Sequence, residues 1–137
     1  MVLEPDEITI TTDAAHIDID AALALLHSTY WAHDMPRETL VRAIANSLTF
    51  AMFRGPELVG LARVVTDRAT FAYLTDVVIA EAVRGQRLGH RLTETILRHP
   101  DLQGLRRFAL LTADATRFYE EFGFRAGAGT LTYMERR

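Results

Sequence analysis

The chain of 137 residues contains no cysteine, so it can form no disulfide, offer no thiol nucleophile and build no thiolate metal site. Lysine is absent too, all 15 basic residues being arginine, which removes Schiff-base chemistry and the lysine of a Walker-type P-loop. Serine occurs only at Ser28 and Ser47, neither of them in a Gly-x-Ser-x-Gly elbow, so a serine hydrolase is disfavoured. The five histidines make no HExxH pair, and no metal is expected. No apolar run approaches the length of a membrane helix. The N-terminus MVLEPDEITI carries acids where a secretory signal would carry bases, so the expected location is the cytoplasm, with no membrane partner.

What is present fits one globular domain over residues 1–137, with 49% apolar and 24% charged residues. The net charge of −3 conceals an asymmetry. Met1 to Leu40 holds Glu4, Asp6, Glu7, Asp13, Asp18, Asp20, Asp34 and Glu38 against Arg37 alone, whereas Arg84, Arg87, Arg91, Arg98, Arg106 and Arg107 gather later. A local basic face in an acidic chain suits a small anionic ligand better than nucleic acid, because basic residues interleaved with aromatics are lacking.

Ile8 to Thr11 reads as a short strand, and Asp18 or Asp20 caps a helix with Ile19, Leu23, Leu26 and Tyr30 at helical spacing. Pro36 lies near the first turn of a second helix read through Leu40, Val41, Ile44 and Leu48. Leu48 to Phe53, Leu58 to Thr66 and Phe71 to Ile79 read as three antiparallel strands with short turns. Arg84 to Arg98 returns to helical period until Pro100, Arg106 to Leu111 forms a further strand, and Thr112 or Asp114 is expected to cap a short helix through Phe118 and Phe122 that Gly123 ends. Thr130 to Glu135 alternates and is expected to close the sheet, or to pair there in a homodimer. The order describes an α+β fold with a mixed, mostly antiparallel sheet.

The stretch VRGQRLGHRL, Val83 to Leu92, follows the apolar run Val77-Val78-Ile79. Small residues between a strand and a helix, with unpaired helix N–H groups behind them, make a site for an oxygen-rich anion such as a pyrophosphate.

Two segments carry a resemblance to a known family. VVIAEAVRGQRLGHRL resembles the strand and the Q/R-x-x-G-x-G/A loop of the GCN5-related N-acetyltransferases (GNAT), and LLTADATRFYEEFGF resembles their later strand-helix segment. HSTYWA and GLARVVTDRATFAYLTDV further resemble a small bacterial branch of that family. In the loop, Arg84 takes the first place and Gly89 the last, while Arg87 replaces the middle glycine, a substitution tolerable where the residue is right-handed.

The resemblance implies a three-layer α/β/α fold and acetyl-CoA as cosubstrate. It implies that the cosubstrate is held by Val77, Val78 and Ile79, by the loop Arg84, Gly85, Gln86, Arg87, Leu88 and Gly89, and by Phe118. The acceptor would be a primary amine of a small molecule or protein, and Tyr119 the acid that protonates the leaving thiolate. Asp76 is a candidate base, with pairing to Arg63 across the neighbouring strand as its structural alternative. Tyr30 and Trp31 are candidate acceptor contacts through attraction of a cation to their rings. By helical spacing, Phe118 and Phe122 share a core-facing stripe from which Tyr119 is turned away. The rival reading is a non-catalytic acyl-CoA-binding sensor, and a remoter one is a nucleotide-phosphate binder.

Overall fold

A computed structural model describes residues 7–127, 129 and 131–137. Among these residues five strands, β1 (Ile8–Thr11), β2 (Leu48–Arg54), β3 (Glu57–Thr66), β4 (Phe71–Ile79) and β5 (Arg107–Leu110), lie side by side in chain order. The neighbours are antiparallel except for β4 and β5, which run parallel. Period-two alternation sorts β2 cleanly: Leu48, Phe50 and Met52 face one core, while Ala51 and Phe53 face the other.

Helices α1 (Ile19–His27) and α2 (Arg37–Ala45) cover one sheet face through Ala22, Leu26, Leu40 and Ile44. Helix α3 (Leu88–Arg98) covers the other with Leu88, Leu92 and Ile96, which pack with Phe50, Val64 and Leu74. The layers are therefore helix, sheet, helix. Asp18 caps α1 by accepting from the N–H groups of Asp20 and Ala21, and Asp13 caps a short 3₁₀ turn. Asp20 pairs with Arg37 at 2.9 Å. Three of the acids clustered early in the chain thus have local structural duties rather than forming a free acidic field; Glu4 and Asp6 lie outside the described residues.

Three expectations change. Tyr30 lies beyond the end of α1, because the Ser28 and Thr29 hydroxyls turn back onto the carbonyls of Leu25 and Leu26 and the helix stops at His27. The helix expected from Arg84 begins only at Leu88, since Gly85 (φ +83°) and Arg87 (φ +57°) are left-handed. The expected final strand does not form: Thr130 lies outside the described residues, and Leu131 to Glu135 adopt no strand. Alternation sets which side a residue faces once a strand is paired, but it supplies no partner. Here the segment bonds to itself instead, Tyr133 donating to Glu135, which also accepts from Arg137.

Two irregularities in the sheet bear on function. Pairing of β4 with β5 runs from Phe71↔Arg107 to Leu74↔Leu110 and goes no further. On its other side β4 slips against β3, Leu61 facing Val78 but Arg63 facing Thr75, so that Ala62 stands opposite both Asp76 and Val77. This is a bulge, and Asp76 within it is left-handed at φ +56°.

Candidate active site

Beyond Leu74 and Leu110 the parallel strands have no ladder between them, and the main chain of Thr75 to Ile79 is left without a strand partner on that side. At the end of β4 a 3₁₀ turn, Glu81–Val83, leads into the Gly85 to Arg87 turn and then α3. The Arg84 guanidinium folds back so that its Nε donates to the Ile79 carbonyl at 3.2 Å, tying the turn to the strand end.

A cavity of about 350 Å³ opens where this turn meets α3. Among the described residues, the backbone N–H groups from Gly85 to His90 donate to no protein acceptor, the first bonded amide being Arg91 to the Arg87 carbonyl at 3.1 Å. Nor does any side chain cap α3. A helix start normally has its orphan donors satisfied by a cap. Here a row of such donors borders an open cavity, with Arg84, Arg87 and His90 in its wall, which is chemistry suited to a phosphate or diphosphate. No group of three or more His, Asp or Glu able to hold a metal ion occurs among the described residues.

Of the residues expected to hold the cosubstrate, Ile79, Arg84, Gly85, Arg87, Leu88, Gly89 and Phe118 line this cavity. Gln86 belongs to the same turn but not to the wall, Val77 packs against the α3-side core, and Val78 is buried beneath α1 and α2. Val83, His90 and Glu121 also line it, and the sequence reading missed them. Two of these carried a signal: His90 adjoins Gly89, and Glu121 stands three residues after Phe118, on the same side of a helical turn. The Glu121 carboxylate is the one acid in a wall otherwise suited to an anion.

Arg87 differs from expectation: at φ +57° and ψ 27° it is left-handed, the conformation the family's usual glycine accommodates. A side chain in that region costs about 1 kcal/mol. Arg87→Gly is therefore expected to raise the unfolding free energy by roughly 1 kcal/mol, a gain of several degrees in melting temperature. It should also keep acetyl-CoA affinity at least at the parent level. A lower melting temperature would show that the arginine is held by contacts outweighing its strain, and a large loss of affinity would make its side chain a phosphate ligand.

The aromatic stripe of α4 (Thr116–Glu120) is also rotated from expectation. The helix has only five residues, so Phe122 lies past its end, packing on His90 with ring centroids 4.8 Å apart. Phe118 turns to the cavity, and Tyr119 is the residue that touches the core cluster. The Tyr119 ring sits between Phe118 and Phe124 in edge-to-face contacts of 5.0 and 5.9 Å. Burial pushes the Tyr119 phenol above the usual tyrosine range, with no hydrogen-bonding or charged neighbour contributing.

The Asp76 carboxylate is 7% exposed and accepts from Arg63 Nε at 3.0 Å, so the cross-strand pairing is formed. Arg63 Nη1 donates further to Ser47 Oγ at 3.1 Å. Tyr30 and Trp31 lie in the α1–α2 connection, 68% and 49% exposed, their rings edge to face at 5.1 Å. The connection itself is well tied: His27 Nε2 lies 2.8 Å from the Met35 carbonyl, His33 Nδ1 lies 3.0 Å from that of Tyr30, and the Ala32 N–H donates to the Thr29 hydroxyl. Two aromatic rings are thus held out to solvent from an anchored loop.

The model of the acetyltransferase (GNAT) family matches residues 19–124. A candidate acetyltransferase of Gibberella zeae is 36% identical, over 77% of this chain and 71% of that protein. Among solved structures, a candidate GNAT-family acetyltransferase of Xanthomonas campestris is 40% identical with a TM-score of 0.91, covering 96% of this chain and 93% of that one. The ribosomal-protein-S18-alanine N-acetyltransferase of Escherichia coli superposes with a TM-score of 0.74 over 89% of this chain and 80% of its own. At 20% identity that last likeness speaks for the fold alone.

Proposed function

Because the chain belongs to the GNAT family of acetyltransferases, we propose that it moves the acetyl group of acetyl-CoA to a primary amine, on a small molecule or an exposed protein amino group. The observation that carries this reading is the run of unpaired N–H groups from Gly85 to His90, in a turn that borders the cavity at the end of the strand that parts from β5. One feature would anchor a diphosphate; the other would accept an extended arm along free main-chain groups, as an added strand does.

Acetyl-CoA when bound supplies an acyl carbon activated as a thioester, on which a C–N bond forms as the C–S bond breaks, one proton leaving nitrogen and one reaching sulfur. The chain's own part is positional and electrostatic. The Gly85 to His90 amides hold negative oxygens with donors already oriented, so little reorganisation is required. Phe118 and Ile79 close the apolar side of the cavity. Tyr119, outside the cavity wall and packed against the α3-side core, keeps its proton at neutral pH because burial raises its pKa, and it is the proposed acid. Complete transfer from an ordinary phenol at about 10 to a thiolate whose acid has a pKa of about 8.5 is already uphill by roughly 2 kcal/mol, and the upward shift of Tyr119 makes it more so. The phenol therefore acts by a hydrogen bond that strengthens as charge builds on sulfur. Tyr30 and Trp31 are the proposed acceptor contacts, their ring faces suited to an ammonium or to an apolar stem beside it.

Release of free thiol from acetyl-CoA, followed across a panel of primary amines, tests the proposal. Saturable release above hydrolysis with at least one amine is expected. Saturable binding with no such release for any amine would favour the sensor reading, and displacement of acetyl-CoA by ATP at comparable affinity would favour the nucleotide-phosphate one.

A further inference from the structure

The bulge of β4 occurs at the place where β5 parts from it, and one side chain reaches the bulge from outside: Arg63 of β3. Its guanidinium bonds Asp76 at 3.0 Å and Ser47 at 3.1 Å, joining the start of β2, the middle of β3 and the bulge itself. We propose that Arg63 is a positioning residue that, through the Asp76 carboxylate, fixes the β4 bulge and thereby the opening between β4 and β5 that receives the thioester arm. This rests on the acetyl-CoA reading above.

Stability alone does not account for this layer of the sheet. The pair is buried, with side chains 16% and 7% exposed, and a buried ion pair is commonly no more stabilising than apolar side chains of the same volume. Asp76 holds a left-handed backbone that disfavours any residue with a Cβ, aspartate less than most. Beside Arg63 on β2, the buried Thr49 Oγ1 has no hydrogen-bond partner among the described residues, a further cost. Two costs and an ion pair that stability does not require, all in one layer, mark a constraint on shape. The shape concerned is the bend: an extra residue in one strand of an antiparallel pair kinks that strand, and the β4–β5 ladder ends two residues before Asp76. Without the guanidinium, an uncompensated carboxylate would seek water and draw the bulge with it. The diphosphate-binding amides, on the far side of Ile79, would be untouched.

Titration calorimetry of the full chain with two probes separates these regions: acetyl-CoA uses both, while ADP offers a diphosphate without the arm. Arg63→Gln, Asp76→Asn and their double variant are compared with the parent, Asn being chosen because it tolerates the left-handed conformation. Each single variant is expected to bind acetyl-CoA about tenfold more weakly, and the double no worse than the weaker single, since one interaction is removed in all three. ADP affinity is expected to stay within about twofold. Unchanged acetyl-CoA affinity beside lowered melting temperatures would make the pair merely structural and overturn the proposal. So would a loss confined to variants lacking Asp76, or an equal loss for both probes. If Arg63→Gln does not fold, Arg63→Lys carries the test, because one ammonium cannot replace the fork that holds Asp76 and Ser47 together. A shortfall for acetyl-CoA but not ADP supports the assignment, and parent-like binding of both sinks it. Failure of the parent itself to bind acetyl-CoA would overturn the functional reading and this inference together, whereas parent binding with insensitive variants overturns only the inference.

Discussion

Gly89→Val is expected to abolish the thermal stabilisation given by acetyl-CoA while leaving the free protein folded. Gly89 sits in the first turn of α3 and needs no left-handed backbone. A Cβ built there would lie 3.8 Å from Phe118 Cζ and 4.0 Å from Ile79 Cγ1, which is ordinary contact. Nothing in the fold therefore requires glycine at this position, and the free variant should melt within about 3 °C of the parent. The added methyls would instead occupy the cavity between Phe118, Ile79 and the unpaired amides. A ligand present at a hundred times its dissociation constant stabilises by about 2.7 kcal/mol. For a chain of this size that amounts to roughly 10 °C. The parent should show a shift of that order and the variant none. A shift persisting in the variant would move the diphosphate away from this turn.

Tyr119→Phe should lower kcat by about 10²-fold or more, the usual contribution of a positioned acid, with acetyl-CoA affinity and melting temperature almost unchanged. The hydroxyl can be deleted cheaply because its only resolved environmental influence is burial, while the ring contacts with Phe118 and Phe124 survive in phenylalanine. Steady-state kinetics in a responsive amine would show the split between kcat and affinity. The sign of the pKa shift sets the pH behaviour: a phenol raised above its ordinary value stays protonated from about pH 6 to 9. No limb of the parent's profile in that interval should belong to Tyr119, and the profile of the variant should be lower but parallel. An unchanged kcat would remove the phenol from the mechanism and leave Tyr119 as a packing residue of the α3-side core.

How far each feature was legible in the sequence follows the range of the interaction that decides it. The starts of α1 and β4, the turns between β2, β3 and β4, and the glycine-bearing loop were readable because caps, periodicity and turn residues act within a few positions. Near Tyr119 the same reasoning failed. An expected stripe through Phe118 and Phe122 presupposed a helix long enough to have one, and α4 stops at Glu120. Tyr30 was misplaced for a similar reason, two hydroxyls ending α1 before the periodic pattern did.

By itself the sequence narrowed the class of chemistry open to this protein: without cysteine or lysine, and with small residues between an apolar run and an amphipathic helix, main-chain amides and arginine side chains are what it can offer an anion there. It determined the element order as far as the helix bearing Tyr119, because those signals are local. Tertiary structure alone decided that Arg87 is left-handed, that Asp76 bulges out against Arg63, that β4 and β5 separate after Leu74, and that Leu131 to Glu135 join no sheet. Each of these depends on which strand lies beside which and in what register, and a register is a relation between segments far apart in the chain.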